Sequence, residues 1–171
     1  METNQLKGIY LHGYQGYVTD EKKAFLNQFG DVYAPNIEYD NNPNVLFELY
    51  DEFKDQKLDF VSGTSLGGIL VYHLALLLDL PCLLLNPAVT AMEQVKDFIP
   101  KEAFTIEPSK KILVLVGMKD SIVNPEEQIK FFDRINSESN HVNLKIEEDL
   151  VHFVPYDVFE STFKEFREYI K

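Results

Sequence analysis

Residues 61–68 read Val-Ser-Gly-Thr-Ser-Leu-Gly-Gly, between the short run Leu-Asp-Phe at 58–60 and an apolar stretch from Ile69 to Leu78. Within them Gly63-Thr64-Ser65-Leu66-Gly67 fits G-x-S-x-G, a turn that carries a serine from the end of a strand to the start of a helix. Such a turn holds the serine in a strained backbone conformation. Gly63 and Gly67 beside it lack side chains, so strand and helix can approach closely. The hydroxyl then projects where free backbone N–H groups and the helix dipole favour a developing anion. Simple helix capping by Ser62, Thr64 or Ser65 is the competing reading of the pentapeptide. Its setting, with an apolar strand before it and a run of small and apolar residues after it, is the one a nucleophile turn requires.

Outward from this turn the chain alternates two periodicities. Strand-like runs occur at 8–12, 31–35, 59–63, 82–86 and 112–117, and from 141 onward. Helical spacing is expected over 21–29, 45–57, 65–78, 125–136 and 156–170, the last with Phe159, Phe163, Phe166 and Ile170 on one face. Apolar strands alternating with helices predict the α/β class: a mostly parallel sheet of about six strands, covered on both faces in three layers. The length of 171 residues suits one domain over 1–171. The segment 86–110, with prolines at 87, 100 and 108 and a helical piece at 91–99, is longer than a plain crossover needs. It reads either as a small lid over the carboxyl ends of the strands or as a surface connection.

A formal net charge of −12 disfavours nucleic acid and anionic membranes as partners, and the lysine pairs at 22–23 and 110–111 do not amount to a basic patch. Cys82 is the only cysteine, so no internal disulfide forms, which fits a reducing compartment. With no signal-peptide pattern and no apolar run long enough to span a bilayer, a cytoplasmic location is expected.

A serine needs a base to take its proton, and the base needs a group to orient it. Asp120 follows the strand at 112–117, and His152 follows the last strand, giving the order Ser, Asp, His along the chain. Asp149, Glu147, Glu148 and Asp157 compete with Asp120 for the acid. Asp59 and Asp79 read as structural. Among the histidines, His73 lies two turns into a helix, His141 begins a strand, and His12 lies in the stretch Leu-His-Gly-Tyr-Gln-Gly at 11–16. His152 is therefore the expected base. Acyl transfer also calls for two N–H donors aimed at the carbonyl oxygen. The backbone N–H groups of Leu66 and Tyr14 are the candidates, with Gly13 permitting close approach and His12 supporting the loop.

The pieces IYLHGYQG, FVSGTSLGG, LLLNPAV, ILVLVGMKDSIVNP and VHF, spread over 9–153, make the chain similar to the α/β-hydrolase superfamily, and more narrowly to the short bacterial YqiA-like esterases. That resemblance implies a sheet without a large cap domain, a small acyl ester or thioester as substrate, and no metal or organic cofactor. The chain departs from the pattern in the Asp-Leu-Val before His152 and in the aromatic Tyr14 and Tyr17 of the first loop. A binding or scaffold protein on the same fold, or cleavage of an amide or carbon–carbon bond, stays open at this point.

Overall fold

A computed structural model describes residues 5–171. Six strands form one sheet: β1 (Leu6–Leu11), β2 (Gly30–Tyr33), β3 (Phe60–Thr64), β4 (Cys82–Leu85), β5 (Ile112–Gly117) and β6 (Val142–Glu147). They are ordered β2-β1-β3-β4-β5-β6, and every neighbouring pair is parallel. Parallel neighbours need crossovers, and these cover both faces of the sheet. Helices α1 (Asp20–Phe29) and α6 (Tyr156–Ile170) pack on one face, while α2 (Val45–Phe53), α3 (Leu66–Leu78) and α5 (Pro125–Ser139) pack on the other. This is the three-layer arrangement expected from the sequence.

The alternation of strand side chains divides the core in two. Ile9, Leu11, Cys82, Leu84, Ile112 and Val114 point to the α3 side, and Tyr10, Leu83, Leu85, Leu113 and Leu115 to the α6 side. With both faces covered, β4 and β5 are apolar without interruption and fully buried. Helix α3 is buried nearly all round, so apolar residues surround its axis rather than forming a stripe. The α6 side is built largely from aromatic rings, with Phe159 and Phe163 centred 4.6 Å apart and Phe29 5.3 Å from Phe163.

Most element ends fall within two residues of the periodicity reading, and three elements differ by more. Helix α2 stops at Phe53 rather than 57, because Phe53 is its last buried residue and Lys54 to Lys57 have no apolar surface to cover. Helix α5 continues past 136 to Ser139 and ends where Asn140 adopts the left-handed conformation at φ 56°. The piece at 91–99 is not one helix: a 3-10 turn at Val89–Ala91, the single-turn α4 (Met92–Val95) and a second 3-10 turn at Lys96–Phe98 follow one another. The segment inserts Val95, Ile99 and Ala103 into the α3-side core. Among the described residues no helix is long and apolar enough to cross a membrane.

Candidate active site

Strand β3 delivers Ser65 to the carboxyl edge of the sheet, and α3 begins at the next residue. Ser65 has φ 53° and ψ −117°, a conformation that strains any residue with a Cβ and persists only where the surroundings enforce it. Here the enforcement comes from the backbone. Ser65 donates its N–H to Leu85 O at 2.9 Å, and its carbonyl accepts from Ala88 N–H at 2.9 Å and Ile69 N–H at 3.1 Å. A Cβ on Gly63 would lie 2.4 Å from Gly67 O, and one on Gly67 would lie 2.2 Å from Leu11 O. Neither position accepts a side chain without moving α3 away from the sheet.

Because β3, β5 and β6 run parallel, the loops that follow them open at the same edge. His152 Nε2 lies 2.9 Å from Ser65 Oγ, and His152 Nδ1 lies 2.7 Å from Asp120 Oδ2. A carboxylate only accepts, so Nδ1 carries the proton and the Nε2 lone pair faces the serine hydroxyl. Asp120 is buried and well supplied with donors: Oδ1 accepts from Ile122 N–H and Val123 N–H, both at 2.9 Å, and the Gln128 amide lies 3.4 Å from Oδ2. These contacts fix the plane of the carboxylate.

The other candidate acids lie elsewhere. Asp149 forms an exposed pair with Lys119 at 2.5 Å, Glu147 ends β6 near Lys145, and Asp157 sits in the first turn of α6. Asp59 accepts from Lys7 N–H, and Asp79 ends α3 beside Ser109 and Lys110. His73 is buried in α3, with Nδ1–H donating to Ile69 O at 2.8 Å, and His141 is half-buried just before β6.

His12 holds the loop after β1. Its Nδ1–H donates to Gly13 O at 2.7 Å, its Nε2 accepts from Ile37 N–H at 2.8 Å, and Tyr39 donates its hydroxyl to His12 O at 2.6 Å. Burial pushes the His12 pKa down, and the Ile37 contact requires the neutral ring. The loop lies against the serine: a Cβ on Gly13 would sit 3.3 Å from Ser65 Cβ. Neither Leu66 N–H, at the first position of α3, nor Tyr14 N–H donates to any acceptor among the described residues. Both are available to an incoming oxygen.

Asn86 and Gln128 carry no role in the sequence reading. Asn86, fully buried with φ 42°, donates from Nδ2 to Val151 O at 3.1 Å and His152 O at 3.0 Å, while its Oδ1 accepts from Gly117 N–H at 2.8 Å. It ties the ends of β4 and β5 to the loop that carries His152. The asparagine directly after an apolar strand, in Leu-Asn-Pro, is the one sequence signal that could have flagged it.

Beside Ser65 and His152 is a depression of about 180 Å³, lined among others by Tyr10, Tyr14, Tyr17, Lys22, Phe153 and Val154. Tyr10 donates or accepts at Thr64 Oγ1 across 2.9 Å, and burial pushes its phenol up to about 12, so it stays neutral. Tyr14 and Tyr17 are exposed at the rim, and Tyr14 donates to Asp40. Among the described residues no group of three His, Cys, Asp or Glu side chains is placed to hold a metal ion.

Comparison with known proteins agrees with this architecture. A family model described as "Uncharacterised protein family (UPF0227)" matches residues 7–157. No curated protein sequence matches the chain. Among solved structures, Est1E from Butyrivibrio proteoclasticus with bound ferulic acid is similar with a TM-score of 0.71 and 17% identity, over 96% of this chain and 89% of that one. Zea mays acyl-protein thioesterase 2 is similar with a TM-score of 0.69 and 12% identity, over 99% and 95%. Alpha/beta hydrolase domain-containing protein 10 from mouse gives 0.71 and 17%, over 99% and 92%. At these identities the likeness is one of fold, and the fold is that of the α/β-hydrolases without a large cap.

Proposed function

The chain belongs to the UPF0227 family, and we propose that it is a serine hydrolase that cleaves small carboxylic esters or thioesters through an acyl-enzyme. The observation that carries this reading is the hydrogen-bonded series from Ser65 Oγ to His152 Nε2 at 2.9 Å and from His152 Nδ1 to Asp120 Oδ2 at 2.7 Å.

In this mechanism Ser65 Oγ attacks the carbonyl carbon while His152 Nε2 takes its proton. Asp120 holds the ring in the required tautomer and stabilises the imidazolium that forms. The carbonyl oxygen becomes an anion, and the N–H groups of Leu66 and Tyr14 bind it. His152 then returns the proton to the departing alcohol or thiol, leaving Ser65 acylated. A water molecule, deprotonated by His152, attacks the acyl group, and the acid leaves as the serine is restored. Two fold neighbours, Est1E with bound ferulic acid and an acyl-protein thioesterase, favour an acyl carbonyl as the reacting group.

The test is turnover of a chromogenic short-chain ester, together with labelling by a fluorophosphonate. Ser65→Ala is expected to lower kcat by at least about a thousandfold and to abolish the adduct, because removing the nucleophile of such a series disables the whole unit. Hydrolysis that survives in Ser65→Ala would reject the mechanism. Folded wild-type protein that neither turns over esters nor takes the label would instead favour a binding role for this site.

A further inference from the structure

Lys22, in the first turn of α1, is the only lysine or arginine lining the depression beside Ser65 and His152. Its neighbours are aromatic: Nζ stands 4.8 Å from the ring centroid of Phe159 and 5.4 Å from that of Phe153, the residue after His152. Lys54, Lys96, Lys110, Lys119, Lys145 and Lys164 each pair with a carboxylate. Lys22 pairs with none among the described residues. Asp40, which meets the depression through Tyr14, is engaged by the Tyr14 hydroxyl at 2.9 and 3.1 Å. An ammonium drawn partly out of water, with ring faces as its partners, gains strongly from an added oxyanion. Burial pushes the Lys22 pKa down while adjacent Glu21 pulls it up, which agrees with a desolvated cation. On a chain of net charge −12, a lone cation beside the reacting serine is a specific feature rather than part of a basic surface.

We propose that the ester taken by this site also bears a carboxylate, and that Lys22 binds that carboxylate while Ser65 acts on the ester carbonyl. The proposal rests on the hydrolase reading above. Phe153, Val154 and Tyr17 line the same depression and offer apolar contact to the carbons between the two groups. The chemical class is a half ester of a dicarboxylic acid, or an ester whose leaving group carries the acid. Hydrolysis consumes one water and releases the alcohol and the free acid, with no other reactant.

Two matched pairs of esters, assayed with the full chain, distinguish the two locations of the charge. The 4-nitrophenyl half ester of adipic acid against 4-nitrophenyl hexanoate tests the acyl part. The butyrate ester of 4-hydroxybenzoate against that of its methyl ester tests the leaving group. The readout is the ratio of kcat/KM for the charged ester to that for its neutral partner. Lys22→Met, which keeps the stem over the rings, is expected to lower this ratio roughly ten- to hundredfold in one pair, chiefly through KM. Lys22→Gln is expected to do the same, and Lys22→Arg to retain most of the ratio. Neutral-ester turnover with ratios unchanged by Lys22→Met and Lys22→Gln in both pairs would overturn the carboxylate inference and leave the hydrolase reading standing. Wild-type protein inert toward all four esters and toward a fluorophosphonate would overturn both.

Discussion

Asn86 uses all of its side-chain hydrogen-bonding groups on one task, because the two carbonyls it binds belong to Val151 and His152 and the N–H it accepts belongs to Gly117. Replacing it with alanine strips three partly or fully buried polar groups of their partner. It also forces a residue less tolerant of positive φ into a conformation at φ 42°. Unsatisfied buried groups are worth roughly 1–3 kcal/mol each, and relaxation or water recovers part of that, so Asn86→Ala is expected to lower unfolding free energy by about 2–4 kcal/mol. Asn86→Asp keeps the shape and the acceptor for Gly117 but turns its other carboxylate oxygen toward two carbonyls, so it should destabilise at least as much. Urea midpoints of the two variants check the order. An Asp variant clearly more stable than the Ala variant would mean that the Gly117 contact outweighs the other two. Both changes free the His152 loop, so ester turnover should fall further than the loss of folded protein accounts for.

At the scale of whole elements, what the sequence makes legible follows from burial. Strands β3, β4 and β5 and the terminal helix stand out because burial on both faces, or along one stripe, leaves continuous or periodic apolar runs. The piece at 91–99 misleads because its periodicity is real, burying Val95 and Ile99, while Pro87 and Pro100 bound it too closely for a regular helix and it forms successive single turns. Ser65, Asp120 and His152 can be singled out because each follows the end of a strand and the three keep the order Ser, Asp, His, with a glycine motif around the serine. Asn86 and Gln128 are harder to single out: the partners of Asn86 are backbone atoms distant in sequence, and those of Gln128, though only five and eight residues away, belong to a loop whose path no periodicity marks. Helix α3 carries a further consequence, because burial pushes the pKa of His73 below its ordinary value of 6.5. Its ring meets Tyr72, Phe104 and the Ile69 carbonyl it binds, and none of these partners is a carboxylate. The unfolded chain therefore takes up this proton at higher pH than the folded chain does. Stability from this group is fully present above about pH 6.5 and declines as the pH falls toward the lower folded value, by up to ~1.4 kcal/mol per pH unit. The buried His12 shifts in the same direction. Urea midpoints from about pH 7.5 to pH 5.5, a window above ordinary carboxylate titration, should decrease with acidity, and His73→Phe should reduce that slope. An equal slope in the variant would show that His73 is not protonated only on unfolding.

For the molecule as a whole, two electrostatic effects oppose each other. The lysine–carboxylate pairs are on the surface, as with Lys54 and Asp51, whose side chains are 42% and 77% exposed, and such pairs contribute about 0–1 kcal/mol each. Against them acts the mutual repulsion of a net charge of −12 confined by folding to one small domain. A chain of this length folds to a radius of gyration of about 15 Å, and the screening length is about 30 Å at 0.01 M salt and 8 Å at 0.15 M. At low salt the repulsion thus spans the whole molecule, whereas at physiological salt it is cut off within a fraction of the diameter. The pairs lose less on screening, because their charges are nearly in contact, 2.5 Å apart for Lys54 and Asp51. Repulsion should therefore dominate the salt response, and the melting temperature is expected to rise by several degrees between about 10 mM and 300 mM sodium chloride. Calorimetry at fixed pH near 7.5 measures it. Sodium sulfate stabilises by exclusion from the surface as well as by screening, so chloride is the salt that isolates the charge term. A melting temperature that falls over this range would mean that the surface pairs contribute more than the net charge removes.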